Sequence, residues 1–190
     1  MSKPNFTIKD KDTNKTYWIS RAVVVIPVVF KIKNDVIYTL VEKRGKSVSH
    51  TGQHCCPCGY LDWDETFEQA CVREVQEETG ISVPIYNVKF HSYNSVPDNS
   101  DNQNVSLRFM CLVDNDTELD MSKIETKDEV DNLKWIECGV VIPDENSPRP
   151  YIEINHYNLH CINWAFNHDK IIETMLTDFF KYFNYNYFNK

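Results

Sequence analysis

The 190-residue sequence predicts a mixed α/β or α+β fold, in which strands surround one central helix and further helices close the chain. Three observations carry that expectation. Ala22-Val23-Val24-Val25-Ile26 is a β-branched run with the composition of a buried strand. Residues 66–79 repeat apolar positions at helical spacing, and Gly80 follows where a left-handed cap would end a helix. From Tyr151 onward two helical stretches are expected, the last over residues 169 to about 185.

Taken in order, residues 1–16 read as a polar arm. Pro27 ends the first apolar run as a bulge or an edge would. Residues 28–32 and 36–42 then flank Lys33-Asn34-Asp35, a hairpin turn. Residues 44–58 lack periodicity and read as a loop, and the central helix follows. Residues 85–93 and 105–113 are expected strands on either side of a polar loop at 97–104. An acidic loop at 114–129 precedes a short strand at 132–137, and Pro143, Pro148 and Pro150 bracket an irregular connection. No repeat or low-complexity linker divides the chain, so one domain over 1–190 is expected, with residues from about 151 to 190 as helical decoration.

Composition narrows the function classes. The chain is 42% hydrophobic and 25% charged, which suits a soluble globular protein and excludes wholesale disorder. Its formal charge of −8 repels phosphate backbones, so no nucleic-acid partner is expected. An anionic small molecule remains open if positive charge is brought to the site. The longest apolar run, residues 22–30, is too short to span a bilayer, so no membrane partner is expected either. Residues 1–20 lack the apolar core of an export signal, and seven cysteines are an odd number. A cytoplasmic setting with free thiols follows as the expectation.

The central helix is the informative segment. Phe67, Ala70 and Cys71 form its inward stripe, and helical steps along that stripe reach Glu74, then Glu77 and Glu78. Like charges at these spacings repel, more strongly when partly buried. A Glu-rich helix usually presents a solvated face. Here the carboxylates stay on the protein-facing side, which favours a hard-cation site holding Mg²⁺ or Mn²⁺ with positions open to water and a substrate phosphate.

The same stretch resembles the Nudix box. Gly59, Glu65, Arg73, Glu74, Val75, Glu77, Glu78, Gly80 and Ile81 fill its fixed positions over 23 residues. The resemblance implies an α/β/α sandwich with a central mixed sheet and extra C-terminal helices. It also implies hydrolysis of a nucleoside diphosphate linked to another moiety, by water attack at phosphorus. Glu74, Glu77 and Glu78 would be metal ligands, Gly59 would add its carbonyl, and Glu65 and Arg73 would brace loop and helix. Metal ions shield a pyrophosphate and lower the pKa of the attacking water, which reconciles an acidic protein with an anionic substrate. The family often places its general base outside the box. Glu125, Asp128 and Glu129 precede the strand at 132–137, and Glu129 is the first choice. Pro97 lies close to where the ADP-ribose pyrophosphatases of the family carry a proline, so an ADP-ribose-like nucleotide sugar ranks first and nucleoside triphosphates second. A nucleotide sensor without catalysis is the alternative of another class, and the intact glutamates argue against it.

Weaker signals remain. Arg44, ending a strand, is a candidate phosphate contact. Tyr93, Trp135 and Tyr151 are candidates to stack on a base. Cys55-Cys56-Pro57-Cys58 with His50 and His54 lacks a second Cys pair, so zinc is disfavoured. His156 and His160 stand four apart, but no Glu adjoins His156, so a packed or solvated helix face is expected. Residues 98–104 lack the Gly and closing Glu of a calcium loop. The aromatic tail from Phe179 to Phe188 suits packing against the body or a second subunit of a homodimer.

Overall fold

The computed structural model describes residues 6–19, 22–95, 104–147 and 149–184. Pro97, residues 98–103 and the tail aromatics Tyr185, Tyr187 and Phe188 lie outside the described residues.

The centre is β3 (Val23–Lys33), an unbroken eleven-residue strand. It pairs in parallel with β8 (Val105–Leu112) along one flank. Its other flank meets β6 (Gly59–Tyr60) at Val24 and Val25, then β4 (Val36–Arg44) from Phe30 to Lys33. Pro27 therefore neither bulges nor ends the strand. It sits between two partners on the second flank, where its missing N–H removes no rung. Asn34 and Asp35, at φ 51° and 61°, make the two-residue turn to β4, a conformation that Asn and Asp tolerate.

The main sheet runs β10-β9-β4-β3-β8-β7, with β5 (His54–Cys55) on β4 and β6 on β3. β7 spans Val88–Asn94, β9 Val130–Ile142 and β10 Tyr151–Ile154. Among the described strands only β3 and β8 pair in parallel, so the sheet is mixed. The expected strand at 132–137 is thus the middle of a thirteen-residue strand. Residues 151–154 are strand rather than helix: Tyr-Ile-Glu-Ile alternates, and β10 pairs antiparallel with β9. The supposed polar arm contains a hairpin, β1 (Phe6–Lys9) on β2 (Thr16–Ile19).

Helices cover both faces, which explains why β3 is apolar from Val23 to Phe30 rather than alternating. On one face, α1 (Phe67–Thr79) packs Ala70, Cys71 and Val75 against Val25, Val29 and Leu40. On the other, α3 (His168–Tyr182) packs Ile172, Met175 and Phe179 against Val28, Phe30 and Met110. A short α2 (His156–His160) leads into α3. The result is the expected α/β/α sandwich with a mixed sheet and C-terminal helices. Phe67, placed on the inward stripe from sequence, is exposed, because the first helical turn overhangs the sheet. Phe179 and Phe183 are core residues, so this part of the aromatic tail is consumed by packing against the body.

Phe179 is fully buried edge-to-face on Phe30, with ring centroids 5.5 Å apart. Phe179→Ala is expected to lower unfolding stability by about 3–5 kcal/mol in denaturant titration. A loss under about 1 kcal/mol would contradict α3 as a structural layer.

Candidate metal centre

The centre is assembled from three pieces of chain: the end of β4, the approach to β6, and the C-terminal half of α1. Thr66 starts the helix with a full capping box, accepting from the Gln69 N–H while Gln69 returns a bond to the Thr66 N–H. Gly80 ends it in the left-handed region at φ 68°. These two stops fix the ends of α1, and the packing of Ala70, Cys71 and Val75 on the sheet fixes which face it turns inward.

Glu74 and Glu78 face it and are buried, while Glu77 stands at the rim. The last turn of α1 has no basic residue, so these carboxylates also meet the negative end of the helix dipole. Burial raises the Glu74 carboxyl above its ordinary range, opposed by Arg73. Burial, then the charge of facing Glu42, pushes Glu78 well above it.

Glu42 was missed from sequence. Alternation along β4 puts Leu40 and Glu42 on the α1 side, and Glu42 is 1% exposed. Its Oε1 accepts from the Cys55 thiol at 2.9 Å, whereas its Oε2 has no hydrogen-bond partner among the described residues. It faces Glu78, and two ionised carboxylates cannot bond each other. Burial raises the Glu42 carboxyl to about 7. Only a shared proton or a cation joins such a pair. The sequence signal was available: a Glu at an inward strand position, two residues before Arg44.

Arg73 organises the remaining acids. Its Nε and Nη2 donate to Glu65 Oε2 and Oε1 at 3.1 and 2.7 Å, a bidentate pair. Nη1 donates to Glu74 Oε1 at 2.7 Å and Glu77 Oε2 at 3.2 Å, and Nη2 also to the Tyr60 carbonyl at 2.9 Å. Glu65 in turn accepts from the Asp62 N–H at 2.8 Å. The loop before the helix is thereby tied to its middle. Gly59 is required sterically, since a Cβ there would collide with the Glu74 carboxylate. The Cys58 N–H donates to Glu78 Oε2 at 2.8 Å.

The loop at 125–129 closes the same rim. The Glu77 carbonyl accepts from the Glu125 N–H at 2.8 Å, and the Gly45 N–H donates to the Glu129 carbonyl at 2.6 Å. The side chains of Glu125, Asp128 and Glu129 are exposed beside this rim. Arg44, opposite Val130, is half-buried: its Nε donates to the Ser49 carbonyl at 2.7 Å, and its guanidinium lies 5.4 Å from the Phe166 ring. Among the three aromatic candidates, Tyr93 and Tyr151 sit on opposite outer strands of the sheet. Trp135 packs on the α1 side under Lys31, whose Nζ is 4.4 Å from its ring.

The residues fit a hard divalent cation. Clustered carboxylate oxygens, an orphaned buried Oε2 and a glycine backbone held against Glu74 are an oxygen-rich donor set in which Arg73 bonds Glu74 and Glu77 but leaves Glu42 and Glu78 without a basic partner. The NUDIX domain family matches residues 20–153. The chain belongs to the Nudix family. No curated relative matches it. Solved structures share the fold at low identity. A MutT/nudix family protein from Enterococcus faecalis is 18% identical with a TM-score of 0.63, covering 82% of this chain and 61% of its own. The Nudix domain of Shewanella oneidensis NrtR, solved with ADP-ribose, is 20% identical with a TM-score of 0.58, covering 86% and 89%. A bifunctional NMN adenylyltransferase/ADP-ribose pyrophosphatase from Francisella tularensis, solved with AMP and a manganese ion, is 23% identical with a TM-score of 0.60. That match covers 83% of this chain and 41% of the Francisella chain. The Nudix chain described here thus spans less than two thirds of the Enterococcus and Francisella proteins.

Two raised carboxyls give a pH signature. The folded, metal-free protein holds protons on Glu42 and Glu78 that the unfolded chain releases. For Glu42 that contribution to stability is complete below the ordinary carboxylate range and is lost as pH rises through about 7, and Glu78 acts in the same direction. Buried His168, depressed to about 3 by burial and nearby arginines, slopes the other way but is common to all variants. In chelator, wild type is therefore expected to lose thermal stability relative to Glu42→Gln across that window. Parallel melting curves for the two proteins would contradict the coupling.

Proposed function

We propose that this Nudix domain is a Mg²⁺-dependent pyrophosphohydrolase, with Mn²⁺ as a substitute, acting on a nucleoside diphosphate linked to another moiety. The observation that carries the reading is the buried Glu42–Glu74–Glu78 carboxylate cluster, in which Arg73 bonds Glu74 but neither Glu42 nor Glu78. Glu74, Glu77 and Glu78, with the Gly59 carbonyl, would hold the cation. When bound, it supplies charge neutralisation for the pyrophosphate and a lowered pKa for the attacking water.

The chain's own residues do the rest. Arg73 and Glu65 position the glutamates rather than touch substrate, because the Arg73 guanidinium is engaged with Glu65, Glu74, Glu77 and Tyr60. Arg44 brings positive charge to the rim for a substrate phosphate. Glu129, exposed in a loop pinned between Glu77 and Gly45, accepts the proton of the attacking water on its carboxylate.

ADP-ribose-like nucleotide sugars rank first, supported by the ADP-ribose held by the NrtR Nudix domain and by the name of the Francisella protein. Nucleoside triphosphates rank second. NrtR has also been solved with a 27-mer DNA. The formal charge of −8 argues against a nucleic-acid partner for this chain, and the complete box argues against a nucleotide sensor that does not cleave. Seven unbridged cysteines support a cytoplasmic, reducing setting. Among the described residues no helix is long and apolar enough to cross a membrane.

Product analysis tests the substrate class: ADP-ribose with Mg²⁺ should yield AMP and ribose 5-phosphate. Robust release of pyrophosphate from triphosphates with inert ADP-ribose would reverse the ranking. Glu78→Gln is expected to lower kcat by roughly two orders of magnitude or more while the protein stays folded. A wild-type rate would remove the cation assignment. Glu129→Gln should cost about a hundredfold or more and flatten the acidic limb of the pH–rate profile. An unchanged rate and profile would exclude it as the base.

A further inference from the structure

We propose that His156, His160 and Glu173 form a second metal site, which takes a borderline transition cation such as Zn²⁺ and clips α2 to α3. From sequence the two histidines lack an adjoining acid. The fold supplies it from another helix, because α2 crosses the exposed side of α3 at Glu173.

Both imidazoles converge on one oxygen. His156 Nδ1 and His160 Nε2 each lie 2.8 Å from Glu173 Oε1, and the three ligand atoms are mutually within 4.8 Å. Histidines four apart share one helix face, the spacing that chelates zinc from a helix. Zinc–ligand bonds of about 2.0–2.1 Å set tetrahedral edges of about 3.3 Å. Seating an ion therefore needs the two nitrogen–oxygen contacts to open by about half an ångström and the two nitrogens, within 4.8 Å of each other, to take the same edge length, rotations open to histidines whose side chains are 61% and 48% exposed. Their exposure gives the ion entry and leaves the fourth position to water.

A cation already occupies part of this constellation. Lys170 Nζ lies 2.9 Å from Glu173 Oε2 and 3.2 Å from His160 Nε2. His160 Nε2 cannot both donate to Glu173 and accept from Lys170, so one of its two contacts is frustrated in either tautomer. A metal ion accepts lone pairs from both histidines and the carboxylate together and removes that conflict. Lys170, itself exposed, then swings into solvent. Partial burial acts to raise the Glu173 carboxyl, but contacts from His156 and Lys170 outweigh it and hold it down at about 2, so it is ionised at neutral pH.

Two nitrogens in three ligands select against Mg²⁺, which prefers oxygen, and for Zn²⁺ or Co²⁺. The site is distinct from the glutamate centre, since α3 and α1 cover opposite faces of the sheet. A clip suits the location. α2 has five residues, too few for independent stability. The connection after it bonds to β5 through Asn163 and Ala165 and sets Phe166 against Arg44.

The test is Zn²⁺ calorimetry and Co²⁺ absorption on tag-free full chain in excess Mg²⁺, which fills the glutamate centre. Wild type should bind a single Zn²⁺ per chain and show a tetrahedral Co²⁺ band. His160→Ala and Glu173→Gln should weaken Zn²⁺ by more than about tenfold, the loss that even an outer-shell partner can cause. Lys170→Gln should tighten it, and Cys161→Ser should leave it unchanged. Wild-type affinity in His160→Ala, no tightening in Lys170→Gln, loss of binding in Cys161→Ser, or binding abolished by Mg²⁺ would each overturn the proposal.

Discussion

Burying three carboxylates side by side is the constraint around which this molecule is arranged. Glu42, Glu74 and Glu78 lie between α1 and the sheet, where water cannot screen them and the helix dipole opposes them. Ionised carboxylates in such a place are unfavourable unless positive charge is supplied. Arg73 supplies some of it, but its guanidinium is directed to Glu65, Glu74 and Glu77 and reaches neither Glu42 nor Glu78. The deepest part of the cluster is left without a basic partner, which is the opening the proposed cation would fill.

Much of the architecture serves that placement. The capping box and Gly80 set the ends of α1, and Gly59 lets the chain pass against Glu74. Val25 and Val29 hold α1 to β3 from below. The 125–129 loop is tied to α1 through Glu77 and to β4 through Gly45, so candidate proton acceptors reach the same rim. α3 contributes no ligand to this centre; it seals the far face of the sheet, which keeps β3 dry on both sides.

The central helix, its glycine stop and the spacing of its three glutamates were legible because each rests on a local signal, whereas the Thr66–Gln69 capping box came from the structure. The β3–β4 turn was legible for the same reason. Glu42 was not, because its importance comes from a partner 36 positions away that only the fold brings opposite it. At 151–154 the helical expectation passes over a four-residue alternation too short to stand out, and pairing with β9 makes the segment strand. Pro27 reads as a break because its local rule is sound, yet the strand changes partners at that point and the rule has nothing to act on. His156 and His160 read as an ordinary helix face until α3 brings Glu173 to them.

A divalent cation held by the buried glutamates is the central claim, and Mn²⁺ titration followed by electron paramagnetic resonance tests it most directly, since only free Mn²⁺ gives the sharp six-line signal. Wild type should deplete that signal until its site is filled, with Mg²⁺ competing the ion off. A Glu74→Gln, Glu78→Gln protein that remains folded should leave it undiminished. Equal depletion by the folded double variant would contradict the account.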